Sequence, residues 1–217
     1  KTETEFWDCA ALGQSLKRVS FDPHLHPELA FSNSAPLPVV YNQAIERADD
    51  DDILIFIHDD VWLDDYFFCQ RVLDGLNHFD VIGVAGNTRR QAGQAAWLFK
   101  AVHAGEFVWD AGYLSGVVAH GKNPCGVLGV FGFSPQRCQL LDGVFLAARS
   151  GTLKKSAVRF DPQFAFHFYD MDFCRSAELQ GLRLGTWPIA ITHQSGGAFG
   201  TPDWQASYKA YLGKWGE

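Results

Sequence analysis

The stretch ILIFIHDDVWLDD, residues 53–65, ends an apolar run on a histidine and two carboxylates, His58, Asp59 and Asp60. Acids at a strand end can hold a hard divalent ion, because Mg²⁺ or Mn²⁺ takes oxygen ligands and keeps positions open for substrate phosphates. His193 closes a second apolar run, IAITH, and leads into QSGG; an imidazole there would complete a mixed oxygen–nitrogen site. Asp170, in YDMDFCRSAELQG, falls in the first turn of an expected helix, on one face with Phe173, Cys174 and Ala177. Its carboxylate therefore turns toward a sheet rather than to water, a setting that suits a general base. Each residue also has a plainer use. Asp64 and Asp65 could cap the next helix, His193 could donate to a carbonyl, and Asp172 could serve the helix dipole.

These residues need elements to carry them. PLPVVYNQAIERA has Pro36 and Pro38 at its start and apolar residues at helical spacing, so a helix is expected there, broken by the acids 49–52. ILIFIH is a continuous β-branched run, the mark of a strand buried on both faces in a parallel sheet. LDDYFFCQRVLDGLNHF reads as a helix with Phe68, Val72, Leu76 and Phe79 on or near one face, and DVIGVAG as the next buried strand. The Gly- and aromatic-rich middle, 107–149, predicts short strands, some antiparallel, and exposed loops. A helix ending at Gly181, a strand pair ending on His193 and a final aromatic-faced helix complete the chain. Alternating helices and strands give α/β, with a mostly parallel sheet covered on both faces. In such sheets ligands bind beyond the carboxyl ends of strands, where His58–Asp60 sits.

Composition narrows the function classes. Of 217 residues, 47% are hydrophobic and 20% charged, enough for a core and unlike a disordered chain. A net charge of −7 argues against a nucleic-acid groove, which wants a basic face. Cys9, Cys69, Cys125, Cys138 and Cys174 are odd in number and widely spaced, as expected of reduced packing thiols in a cytoplasmic protein. No membrane span or signal-peptide pattern is evident, and the opening KTETEFWD, without a Met, leaves room for a piece of a longer chain. Further ligand contacts are expected from Arg89 and Arg90, which follow a strand and could grip a pyrophosphate bidentately. Asn33 would lie near the ligand, following a strand beside the acidic one. Trp109 could stack a flat ring of that ligand, and His120 is a further candidate to line the site.

The succession HDDVWLDD, then LLDGVFLAAR, then FDPQFAFHFYDMDFCRSAELQGLRLGTWPIAITHQSGG resembles GT-A fold glycosyltransferases of the family 2 type over roughly residues 36–200. The resemblance implies a single GT-A-like domain, with residues 1–90 as the nucleotide-sugar-binding half and 91–217 as the acceptor-side half. Asp60 matches the last acid of the family's metal motif, with His58 in the place of its first acid and Asp59 between, on the donor side. Asp142 and Gly143 match its acceptor-side DG pair. Asp170 matches the second residue of its ED motif, the catalytic base, and His193 its late metal-site histidine. Two positions depart from the pattern: His58 replaces an acid, and Tyr169 stands where Glu is expected. The family's opening strand is missing or reduced to TETEF.

The chemistry implied is transfer of a sugar from a nucleotide-diphosphate donor to a saccharide or other hydroxyl acceptor. It would use Mg²⁺ or Mn²⁺ and proceed with inversion. Rival expectations are a non-catalytic nucleotide-sugar- or carbohydrate-binding domain of the same descent, and a metal-dependent phosphohydrolase, which would need more strand-end acids and histidines than the sequence offers.

Overall fold

The computed structural model describes residues 1–217. The chain opens on a helix; the opening strand, expected to be missing or reduced to TETEF, is absent. Thr2 Oγ1 accepts from the Glu5 amide and Glu5 accepts in return from the Thr2 amide. This capping box starts α1 (Glu3–Cys9). The following α2 (Ala11–Arg18) buries Leu12 and Leu16. Two hydrogen bonds fix α2 to the acidic turn: Leu12 N–H donates to Asp59 O at 3.1 Å, and Leu63 N–H donates to Ser15 Oγ at 3.0 Å. Residues 19–36 contain no strand, so the expected strand before Asn33 is absent. The helix foreseen after Pro36 is α3 (Leu37–Arg47).

Two sheets follow. The first has the order β1 (Ile53–Ile57), β11 (Phe145–Arg149), β3 (Val81–Gly83), β12 (Leu184–Thr186), β9 (Gln136–Cys138). The second runs β10 (Leu140–Leu141), β4 (Ala85–Asn87), β7 (Leu114–His120), β13 (Ile191–His193), β2 (Val61–Leu63), with β8 (Val127–Gly132) also paired to β7. A separate hairpin joins β5 (Phe99–His103) to β6 (Glu106–Trp109).

The expected mostly parallel sheet is not found. Only β3–β12 and β7–β13 pair in parallel; every other pairing is antiparallel. The physical reason is that β11 returns from the middle of the chain and inserts between β1 and β3. An apolar run reads alike in either kind of sheet. β1 is accordingly an edge strand and mostly half-buried, not a centre strand. Asp52 O accepts from Ser150 N–H and His58 N–H donates to Val144 O. By the alternation of an antiparallel ladder, Ile53, Ile55 and Ile57 turn their backbone groups to the open edge. Both sheets draw strands from before and after residue 90, so the expected division into 1–90 and 91–217 is not a structural one.

The chain passes between the two sheets at seven places, including these four. His58–Asp60 joins β1 to β2, Val84 joins β3 to β4, Asp142–Val144 joins β10 to β11, and residues 187–190 join β12 to β13. Five candidate residues, His58, Asp59, Asp60, Asp142 and Gly143, on two of these crossings, therefore sit on the seam where the sheets diverge. Helices α4 (Phe68–Gly75), α5 (Ser150–Lys155), α6 (Tyr169–Leu179) and α7 (Pro202–Trp215) cover the sheets. Asp172 in α6 is fully buried and accepts from Trp215 Nε1 at 2.9 Å and from Lys214 Nζ, so it ties α7 down rather than merely serving the α6 dipole.

One continuous apolar core underlies the seam. Phe160 is its hinge pin. The ring is fully buried, stacks on Phe173 at 4.2 Å and meets Phe56 and Tyr41 edge-on at 5.1 and 5.2 Å, joining α6, β1 and α3. Phe160→Ala is expected to cost about 3–5 kcal/mol of stability, read from a shifted denaturation midpoint at unchanged slope.

Candidate functional site

Each crossing places its polar residue by a backbone requirement. His58 follows the last β1 residue, and Asp60 precedes Val61, which pairs with His193 across β2 and β13. Gln194 N–H donates to Asp60 O at 3.0 Å, closing the turn onto the other strand end. His58, Asp60 and His193, from distant parts of the chain, thereby offer ligand atoms that all lie within 4.8 Å of one another. His193 Nε2 is 3.3 Å from Asp60 Oδ1 and 3.0 Å from Ser195 Oγ. Burial opposes ionisation of Asp60, but the hydrogen bond and charge of His193, with Ser195, outweigh it and hold the carboxyl down at about 2. Burial lowers the pKa of His58, against the pull of Asp142 and Asp60, favouring the neutral imidazole that a metal requires.

The acid pair lies beside this cluster. Asp142 Oδ1 accepts from Val144 N–H at 3.0 Å, and Asp170 accepts from Gly143 N–H at 3.0 Å and from Met171 N–H at 2.8 Å. Asp170 thus faces the DG turn, as its helical position implied. Burial, then the neighbouring charge of Asp142, pushes Asp170 up to about 7, and burial likewise raises Asp142. Phe168, just before α6, takes a left-handed φ of 66°. A bulky residue holds that conformation only where its surroundings enforce it, and here it sets the first turn that aims Tyr169 and Asp170.

Two further residues complete the geometry. Tyr169 O–H donates to Gly143 O at 2.9 Å, and its oxygen lies 2.8 Å from His58 Nε2. Phe166 stacks on the His58 ring at 6.0 Å and 25°. The contact of Tyr169 with His58 is not evident from the sequence. Its only trace there is that both positions depart from the same pattern. Gly143 has to be glycine, because a Cβ there would run into the Tyr169 hydroxyl and ring. Gly143→Ala is expected to cost about 1–3 kcal/mol by overpacking, measured by chemical denaturation.

A cleft of about 1900 Å³ runs along the seam and is lined by His58, Asp60, Asp142, Gly143, Asp170 and His193. Small-ligand sites commonly enclose about 300–1,000 Å³, so the cleft exceeds the space one small ligand fills. Asp59 and Asn33 also border it, but Asp59 pairs with Lys1 at the surface and Asn33 closes its own turn onto Ala35. Trp109 stands half-exposed at the rim, stacked with Phe131. His120 lines the cleft with its ring 6.2 Å from that of His193.

The arginines expected at a pyrophosphate are elsewhere. Neither Arg89 nor Arg90 lines the cleft. Arg89 binds Asp110 through Nε and Nη2 and lies over the Tyr113 ring at 3.4 Å. Arg90 pairs with Glu217. Both follow a strand, as expected, but Asp110 takes the Nε and Nη2 donors of Arg89 and Glu217 takes Nη1 of Arg90, whose Nε is buried without a hydrogen-bond partner. Of Asp64 and Asp65, only Asp65 serves the next helix, accepting from Phe67 N–H. Asp64 instead accepts from Cys125 N–H and Thr192 Oγ1.

The buried acids make the seam sensitive to pH. Asp170 has a raised carboxyl, so the folded chain binds more protons than the unfolded one between about pH 4 and 7. The contribution of Asp170 to stability therefore falls as pH rises through that window. Melting temperature in the absence of metal is expected to decline from pH 5 to pH 8 by an amount worth a few kcal/mol, and Asp170→Asn is expected to flatten the decline.

No helix is long and apolar enough to cross a membrane. No protein-family model matches the chain, and a search of curated proteins finds no similar sequence.

Proposed function

We propose that this chain is a metal-dependent glycosyltransferase of GT-A type, moving a sugar from a nucleotide-diphosphate donor to a hydroxyl acceptor. The observation that carries this reading is the convergence of His58, Asp60 and His193 beside the buried pair Asp142 and Asp170 in one cleft. The three ligands fit a divalent cation: one ionised carboxylate and two imidazoles, at mutual distances a single ion can span. Two nitrogen donors favour Mn²⁺ over Mg²⁺, which prefers oxygen throughout. When bound, the cation would neutralise charge developing on the departing nucleoside diphosphate.

The remaining work falls to the chain's own side chains. Asp170 takes the proton of the acceptor hydroxyl as that oxygen bonds to the anomeric carbon and the bond to diphosphate breaks on the opposite face. Its carboxyl, held near neutrality, is poised for that transfer. The Gly143 and Met171 amides hold both oxygens of Asp170 in place, so little reorganisation accompanies the step. Asp142 is positioned to receive hydroxyl hydrogens of sugar or acceptor. Trp109 supplies a flat apolar face at the rim for a sugar ring.

The test is release of nucleoside diphosphate from a panel of nucleotide sugars, with Mn²⁺ and simple saccharide acceptors. Metal-dependent turnover of one donor is expected. Metal-dependent binding without turnover of any donor would favour the binding-only alternative.

A further inference from the structure

We propose that Tyr169 is a positioning residue that fixes the tautomer of His58, so that Nδ1 rather than Nε2 is the nitrogen offered to a cation. The inference rests on the metal reading above for its purpose, though not for its geometry.

The tyrosine hydroxyl has one proton. Gly143 O, 2.9 Å away, can only accept, and no other donor reaches that carbonyl. The hydroxyl proton therefore goes to Gly143 O, and the tyrosine oxygen is left as an acceptor toward His58 Nε2 at 2.8 Å. The Tyr41 ring lies 6.0 Å from that of Tyr169, but the hydrogen bond the Tyr169 hydroxyl donates is the one to Gly143 O. Nε2 must then carry the imidazole hydrogen. A neutral ring with its hydrogen on Nε2 has its lone pair on Nδ1, which makes no hydrogen bond within the protein. Phe166, stacked on the ring, limits its rotation. Carbonyl, tyrosine and imidazole thus form a directed chain in which each partner's role follows from the one before. Partners of this kind set the orientation and basicity of a ligating histidine. The chain also gives a physical reason for His58 and Tyr169 to occur together: an aspartate at 58 would need no hydrogen-bond acceptor at 169, whereas an imidazole needs one to choose its nitrogen.

The deciding experiment is ¹⁵N NMR of histidine-labelled, metal-free protein at pH 8, followed by Mn²⁺ titration of the parent, Tyr169→Phe, His58→Asp and the double variant. The parent is expected to show the hydrogen of His58 on Nε2, and Tyr169→Phe to show a mixture of tautomers. Mn²⁺ affinity is expected to fall about 10–100-fold in Tyr169→Phe but not to fall further when the same change is made in His58→Asp. Hydrogen on Nδ1 in the parent would overturn the proposal outright, and this readout does not depend on any variant folding. Unchanged Mn²⁺ affinity in Tyr169→Phe would overturn it too. A parent with hydrogen on Nε2 that binds no Mn²⁺ would instead refute the metal reading, and with it the purpose assigned to Nδ1.

Discussion

Asp60→Ala is expected to weaken Mn²⁺ binding by at least about 100-fold, since even outer-shell partners of a metal are commonly worth 10–100-fold. Asp60 is the one carboxylate among the three candidate ligands and is ionised at every working pH, its pKa being held at about 2. Its removal leaves only two imidazoles, a poor match for a hard cation that keeps water or phosphate oxygens in its remaining positions. It also releases His193, whose Nε2 lies 3.3 Å from the lost oxygen. Asp60→Asn separates the two effects, keeping an oxygen near His193 while removing the charge. Isothermal titration with Mn²⁺ measures both, and Asp59→Ala, altering a surface carboxylate paired with Lys1, serves as the neighbouring control.

The second large effect belongs to Asp170. Asp170→Asn is expected to lower kcat by about 10²–10⁴-fold, the usual worth of a positioned general base, with little change in the KM for donor. The group must be ionised to accept a proton, so kcat/KM should climb with pH and then level. The climb is expected at or below about pH 7, because a bound cation favours the charged form of a nearby carboxylate. In Asp170→Asn that acid limb should disappear along with the rate. A variant retaining parental turnover would remove Asp170 from the chemistry.

Much of this site is legible in the order of residues alone. The run into His58–Asp60 marks a strand end, IAITH marks another, and helical spacing places Asp170 toward the sheet, where it indeed meets the DG turn. What the sequence does not convey is sheet partnership. Apolar runs such as ILIFI and DVIGVAG announce strands but say nothing of their neighbours. The arrival of β11 between β1 and β3 turns an expected parallel centre into an antiparallel edge. Nor does DVIGVAG reveal that the chain changes sheets at Val84, which splits it into β3 and β4. The first helix does leave a signal, since Thr2 and Glu5 have the spacing of a capping box. Arg89 and Arg90 show a different limit. A strand-end arginine can face a ligand or a buried acid, and Asp110, twenty-one residues further on, decides the matter only once the chain has folded.

Melting curves with nucleoside diphosphates and nucleotide sugars, each with and without Mn²⁺, test most directly whether the seam is a metal-dependent donor site. A ligand present at about 100 times its Kd stabilises the native state by roughly 2.7 kcal/mol. At about 2–4 °C per kcal/mol for a chain of this size, that is a rise of roughly 5–11 °C. Such a rise is expected for at least one nucleotide when Mn²⁺ is present, and its loss is expected in Asp60→Ala. Superimposable curves for every nucleotide, with Mn²⁺ or without it, would contradict a donor site at the seam.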